Sequence, residues 1–324
     1  VVIVASPSLA ETPSPAVTRL LDYLKTQNTT GFLVVRDGKV LVEQNWPQPS
    51  DNRMFANFVY ERTADGALLE DVASQQKSFI AVLMAIAVDK GLIDLDKPVA
   101  AYIGKGWSKA SPEQEAKIRV LDLLTMTSGL DEKFGYEAPA GSAFFYNTPV
   151  YAVTKRILSE ASKQSLETVT QAWLTGPLGM KDTAWRKRPP ALAGVGNDTG
   201  LVTSPRDTAR FGQMILNGGV AENGTRVVSE KSFKAMFART ATNPAYGQLW
   251  WLNGGAYAMR ALAGRKDGPL VAAAPADMVA AYGAFERRLY VVPSLKLVVV
   301  RLGAAAPDKA FDQQLWSRLT DALR

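Results

Sequence analysis

The chain predicts an α/β (α+β) fold: one antiparallel sheet, flanked by an N-terminal and a C-terminal helix, with an all-α region inserted between its halves. Three observations carry this. Strand-like runs occur at both chain ends, a nearly all-apolar helical stretch follows the first set, and a long middle segment has little strand character. Ser14-Pro15 opens a first helix, with a capping serine ahead of a first-turn proline. Val17, Leu20, Leu21 and Leu24 give that helix one apolar face. Residues 32–36 and 40–44 then flank Asp37-Gly38, the signature of a two-residue hairpin. Residues 72–91 read as a helix with Phe79, Leu83, Met84, Ile86 and Ala87 nearly all apolar, which predicts burial on all sides; Gly91 stops it.

Residues from about 96 to 220 read as short helices and loops. Strands return near residues 246–252 and 279–283, and a second hairpin pairs 289–292 with 295–302 across Pro293-Ser294. Asp308 opens a terminal helix whose Phe311, Leu315, Leu319 and Leu323 share a face. Neither set of strands alone buries its faces, so both ends of the chain must share one sheet. The expected organisation is a discontinuous α/β domain, residues 1–95 and 221–324, and a helical domain, residues 96–220, with a cleft between them.

Of the 324 residues, 47% are apolar and 21% charged, the balance of an ordinary globular protein. The net charge of +6 is a mild basic excess. Its largest cluster, Arg186-Lys187-Arg188, runs into Pro189-Pro190 and reads as a solvated loop, so no nucleic-acid partner is expected. No run of 18 apolar residues exists, so no spanning helix is expected. Residues 1–10 look like the tail of a secretory signal with a small-residue cleavage site, which makes a periplasmic or secreted location the expectation and a cytoplasmic one the alternative.

The chain has no histidine and no cysteine. That removes Ser-His-Asp and Cys-His mechanisms, disulfides and Cys/His zinc sites. A serine nucleophile then needs another base, and lysine is the usual substitute. Ser74-Gln75-Gln76-Lys77 supplies one: residues three apart on a helix lie on one face, so Lys77 can reach the Ser74 hydroxyl. No second Ser-x-x-Lys occurs in the chain.

Four strings extend this motif. They are Ala73-Ser74-Gln75-Gln76-Lys77-Ser78-Phe79, the stretch at 120–130 ending Thr125-Met126-Thr127-Ser128-Gly129-Leu130, Gly200-Leu201 through Arg210-Phe211-Gly212, and Tyr246-Gly247-Gln248-Leu249-Trp250-Trp251. With them the chain resembles the serine β-lactamase and penicillin-binding-protein superfamily. It is most similar to the class C β-lactamase-related branch that includes family VIII esterases, D-aminopeptidases and nylon-oligomer hydrolases. Met126 stands where that branch usually has histidine.

The resemblance implies a β-lactamase/transpeptidase-like fold and an acyl-enzyme mechanism with Ser74 as nucleophile, Lys77 as base and Tyr146 as proton shuttle. Tyr146 occupies the tyrosine of the family's Tyr-x-Asn motif; its plain reading is an aromatic packed beside Phe144 and Phe145. The third position is Thr148, a candidate substrate-binding residue whose plain reading is a helix N-cap ahead of Pro149. The family's Lys-Thr-Gly motif falls on Ala281-Tyr282-Gly283, where only the glycine is retained. Gly283 would let substrate approach the strand, or mark a bulge. The oxyanion would rest on the N–H groups of Ser74 and Ala284, with Tyr282 as a wall of the acyl pocket.

No metal and no organic cofactor is implied. The partner expected is a small-molecule substrate, with oligomeric state open. Loss of the motif's lysine favours small carboxylic esters or linear amides. The alternatives are a D-amino-acid-directed peptidase or β-lactamase, or an inactive penicillin-binding-like protein. Arg287-Arg288 reads as a solvent-facing hairpin pair, with the alternative that it reaches into the cleft as a replacement cation.

Overall fold

The computed structural model describes residues 13–194, 197–261 and 263–324; the signal-like reading of residues 1–10 falls outside them. The strands, in chain order, are β1 (Thr29–Arg36), β2 (Lys39–Asn45), β3 (Val59–Arg62), β4 (Leu68–Asp71), β5 (Ala184–Lys187), β6 (Thr199–Thr203), β7 (Trp251–Leu252), β8 (Tyr257–Arg260), β9 (Gly264–Asp267), β10 (Val279–Gly283), β11 (Arg287–Val292) and β12 (Leu297–Gly303). Six of them form an antiparallel sheet in the order β2-β1-β12-β11-β10-β7, so the two chain ends do share one sheet. The β1–β2 hairpin turns at Asp37 and Gly38, both at positive φ, which is why the aspartate–glycine pair was a reliable signal.

Helices Pro15–Thr26 and Phe311–Ala322 pack together at the main sheet, with Tyr23 stacked on Phe311 at 6.3 Å. Helix Pro205–Leu216 packs on β1, β11 and β12. It comes close because Gly212 has no side chain: a Cβ there would sit 2.7 Å from a Val298 methyl and 2.8 Å from a Leu289 methyl. Helix Gln76–Asp89 runs through the interior, with Gln76 to Ala87 all buried and Phe79 stacked 3.8 Å from Phe211.

The middle segment differs from its reading as helices and loops. β5 and β6 lie within it and join β3 and β4 in a second sheet, ordered β3-β4-β6-β5. They are four and five residues long, too short to register as alternating runs. The β8–β9 hairpin was also unread, because β9 is fully exposed and carries no apolar alternation. Among the described residues no helix is long and apolar enough to cross a membrane.

Two neighbouring carboxylates on β4 hold buried arginines, and the first of them, Glu70, ties the two sheets together. Glu70, almost fully buried, accepts hydrogen bonds from Thr30 on β1 and, at 3.3 Å, from Arg287 on β11. Asp71 is fully buried and pairs through both oxygens with Arg188, at 2.7 and 3.0 Å. Arg186-Lys187-Arg188 is therefore not wholly a solvated loop: Arg188 turns inward because Asp71, 117 residues away, supplies its counter-charge. Breaking either buried pair by removing one partner costs on the order of 3–5 kcal/mol, since a lone charge is left inside.

Candidate active site

Asp71 is followed by a single 3₁₀ turn, Ala73–Gln75, and then by helix Gln76–Asp89. The sequence reading took residues 72–91 as one helix; the first turn is tighter. Ala73 has φ +50°, a conformation that costs a non-glycine residue roughly 1 kcal/mol or more. Its N–H donates to Asp71 Oδ1 at 2.8 Å, so the Asp71–Arg188 pair holds the strained residue that precedes Ser74. Gly200 makes room for this: a Cβ there would collide with the Asp71 carboxylate.

Ser74 is half-buried at the cleft floor. Lys77 Nζ lies 2.9 Å from Ser74 Oγ and 3.1 Å from Thr148 Oγ1. Its ammonium faces the rings of Tyr146 and Tyr151, 4.9 and 4.7 Å from their centroids. Burial pushes the Lys77 amine well below its ordinary value, and the positive charges of Lys155 and Arg188 push the same way. Tyr146 shares the cleft with Ser74, and burial pushes its phenol up to about 12 against a lowering influence of the Ser74 hydroxyl, so it stays protonated at neutral pH. The Tyr146 ring stacks on Trp251 at 5.8 Å, which combines the packed-aromatic reading with a place in the cleft beside Ser74.

Thr148 is not the helix cap. Asn147 caps helix Thr148–Ser162, accepting from Val150 N–H at 3.1 Å, while its amide donates to the carbonyls of Leu130 and Asp131. Thr148 is thereby turned toward Lys77. Lys155, missed by the sequence reading, lies on the same helix, seven residues on. Its Nζ donates to Asn197 and to Thr199 O at 2.8 Å and stands 5.9 Å from the Tyr151 ring centroid. Burial, reinforced by Arg188, lowers it to about 7. The helical spacing Thr148, Tyr151, Lys155 was the signal available.

Gly283 ends β10, and no register shift marks a bulge there. Its role is close approach: a Cβ would collide with Val72 O and lie 3.2 Å from Gln75 N. The glycine thus brings β10 against the Ser74 turn. Beyond Ala284, Phe285 and Glu286 both have positive φ, forming a tight turn without its usual glycine. That turn is held from outside: Phe285 packs edge-on to Phe58 at 5.0 Å, Phe285 O accepts from Arg301, and Glu286 accepts from Ala306 N–H at 2.7 Å.

Ser74, Tyr146, Thr148, Trp251, Tyr282, Gly283 and Ala284 line one cleft of about 480 Å³. Tyr282 stacks on Trp251 at 6.0 Å, so Tyr146, Trp251 and Tyr282 form an aromatic wall. The solvent-facing reading of Arg287-Arg288 is overturned. Arg287 is fully buried on Glu70, and Arg288 lies 4.1 Å over the Tyr282 ring, bound through two nitrogens to Asp312 at 2.8 and 3.1 Å. Both carboxylates come from distant segments, 217 and 24 residues away, which local reading could not supply. Among the described residues no cluster of three or more acidic side chains is placed to hold a metal ion.

A strained turn that presents a serine beside a buried lysine, set against an antiparallel sheet, is the arrangement of the serine β-lactamase/penicillin-binding-protein group. The chain belongs to the beta-lactamase family, whose family model matches residues 19–323. That family consists of hydrolases. An uncharacterized protein of Alkalihalophilus pseudofirmus is 26% identical over 246 residues, covering 68% of this chain and 69% of its own. Among solved structures, a beta-lactamase/D-alanine carboxypeptidase from Yersinia pestis is similar with a TM-score of 0.67 and 17% identity, over 98% of this chain and 99% of its own. A family VIII carboxylesterase is similar with a TM-score of 0.68 and 13% identity, over 96% and 99%.

Proposed function

We propose that this protein is a serine hydrolase that works through an acyl-enzyme on small carboxylic esters or linear amides. The observation that carries the reading is the 2.9 Å approach of Lys77 Nζ to Ser74 Oγ, with an amine that burial makes easy to deprotonate. Neutral Lys77 accepts the Ser74 proton as Oγ attacks the carbonyl carbon. The negative oxygen that forms is met by the N–H groups of Ser74 and Ala284, which Gly283 brings within one site. The C–O or C–N bond breaks as the leaving group takes a proton from the Tyr146 phenol, and Lys77 returns a proton to Tyr146. Water, deprotonated by the same groups, then adds to the acyl carbon and expels Ser74 Oγ, which regains its proton.

Thr148 supports Lys77, and Tyr282 forms part of the acyl wall. No metal or cofactor enters. The motif strand offers Ala281 and Tyr282 where an ammonium would hold a carboxylate close to the reacting carbonyl, so β-lactam turnover should be weak. The test is p-nitrophenyl acetate hydrolysis by wild type and Ser74→Ala. Wild type should show a burst of one nitrophenolate per active site, and Ser74→Ala should be inactive with an unchanged melting temperature. No side-chain cap bond is lost in that variant. Wild-type rates in clean Ser74→Ala protein would sink the nucleophile assignment; nitrocefin hydrolysis rivalling the esters would move the reading to a β-lactamase.

A further inference from the structure

The peptide that joins Gly283 to Ala284 carries at one end the N–H that meets the oxyanion in the proposed mechanism, and at the other the Gly283 carbonyl. A trans peptide is planar, with its C=O and N–H pointing opposite ways, so whatever fixes the carbonyl also aims the N–H. β10 pairs with β11 from Val279 to Gly283, but with β7 only at Val279 and Ala280. Past Ala280 its other edge has no strand partner and faces the Ser74 turn, where Gly283 lies against Val72 O and Gln75 N. The carbonyl side is held by a side chain. Arg288 Nη1 donates to Gly283 O at 3.1 Å and to Arg287 O at 3.0 Å, while its Nε and Nη2 are taken by Asp312. All three nitrogens thus have acceptors within the protein, although Arg288 lines the cleft. Arg287 grips the next peptide, its Nη1 donating to Ala284 O at 2.9 Å.

We propose that Arg288 is a positioning residue of the oxyanion site: by holding the Gly283 carbonyl it aims the Ala284 N–H at the oxygen of the reacting carbonyl and strengthens it as a donor. This rests on the hydrolase reading above. A hydrogen bond from a cation to the carbonyl end of a peptide draws electron density toward oxygen, so the N–H at the other end donates more strongly. Asp312, on helix Phe311–Ala322, holds the guanidinium in place and is itself steadied by the Tyr290 hydroxyl. Arg288 therefore acts through one peptide group rather than on the substrate. The planar fork is needed for this. Lysine keeps the charge, but its single nitrogen cannot reproduce both the two-nitrogen grip on Asp312 and the reach to Gly283 O.

Two measurements test this, on Arg288→Lys and on Arg288→Met combined with Asp312→Asn; the second protein loses both charges, so neither is left alone inside. The first is steady-state hydrolysis of p-nitrophenyl acetate. Both variants should lose about 10- to 100-fold in kcat with KM little changed, since a misaimed oxyanion donor costs less than the roughly 10²- to 10³-fold of a deleted one. A kcat near wild type in either variant, or a loss carried by KM alone, overturns the proposal. The second reads the peptide itself and needs no turnover. Isotopic labelling at glycine carbonyl carbon and alanine nitrogen gives linked NMR signals from only four peptides, those of Gly66-Ala67, Gly255-Ala256, Gly283-Ala284 and Gly303-Ala304. The Gly283-Ala284 signal should move in both variants as its carbonyl loses a charged donor, while Gly66-Ala67 stays in place. A Gly283-Ala284 signal that stays put, or four signals that move together, overturns the proposal. If it moves alone and wild type hydrolyses no ester, the brace on the peptide stands and the hydrolase reading alone fails.

Discussion

Replacing Lys155 by methionine should move the acid limb of the pH–rate profile upward. Lys155 and Lys77 stand against the same Tyr151 ring, 5.9 and 4.7 Å from its centroid, so their nitrogens are at most about 11 Å apart. At an effective dielectric near 20, two unit charges about 11 Å apart repel by about 1.5 kcal/mol, which corresponds to about one pH unit. The other groups facing the pair are Arg188, which opposes protonation of both lysines, Asp71 and Asp198, which favour it at Lys155, and the Tyr146 and Tyr151 phenols, which stay neutral. Under the proposed mechanism Lys77 must be neutral. A charged Lys155 hinders its protonation, so deleting that charge lets Lys77 take a proton at higher pH.

Lys155 is itself held to about 7, so the effect belongs below neutrality. The assay is kcat/KM for p-nitrophenyl acetate between about pH 5 and 9. Lys155→Met should lose about tenfold on the acid side, the equivalent of one unit, and keep its alkaline plateau. Lys155→Arg, which keeps the charge, should stay near wild type. An acid limb in Lys155→Met that is unmoved, or moved to lower pH, would refute the coupling.

The same lysine predicts a stability signature. Its folded value near 7 lies below its unfolded one, so the unfolded chain binds more protons between about pH 7 and 10, and stability rises with pH there. The melting temperature of wild type should climb across that window more than that of Lys155→Met; parallel curves would contradict it. Tyr146→Phe should lower kcat by roughly 10²-fold or more with the melting temperature kept, since the ring still stacks on Trp251. A change confined to KM would make Tyr146 a binding residue. Gly283→Ala should cost about 1–3 kcal/mol in denaturant unfolding and most of the activity, because the new methyl must push β10 off Val72 O. Full activity with unchanged stability would show that the approach there is not needed.

What could be read in advance followed the range of each interaction. The hairpin at Asp37-Gly38, the buried helix and the shared sheet rest on local patterns or on the need to bury strand faces, and all appear. Ser74 and Lys77 are three residues apart, so spacing alone brought them together. Tyr146 reaches Ser74 from 72 positions away and was legible only through a motif. Thr148 looked like a cap because it precedes proline; Asn147 takes that place, its amide being tied to Leu130 and Asp131. Arg188, Arg287 and Arg288 looked solvated because a buried arginine depends on a carboxylate that local sequence does not reveal.

The supports of Ser74 and the groups that would choose its substrate come from different parts of the chain. Glu70, Asp71, Arg188, Gly200 and Gly283 fix the serine-bearing turn between two sheets, and each works by filling or vacating interior space. The β8–β9 hairpin, whose Arg260 and Ala261 also line the cleft, belongs to neither of those sheets. Divergence can therefore rewrite the hairpin, changing what is admitted, while the reacting turn is inherited intact. Changes at the turn's own props have no such freedom, because they alter folding and chemistry together.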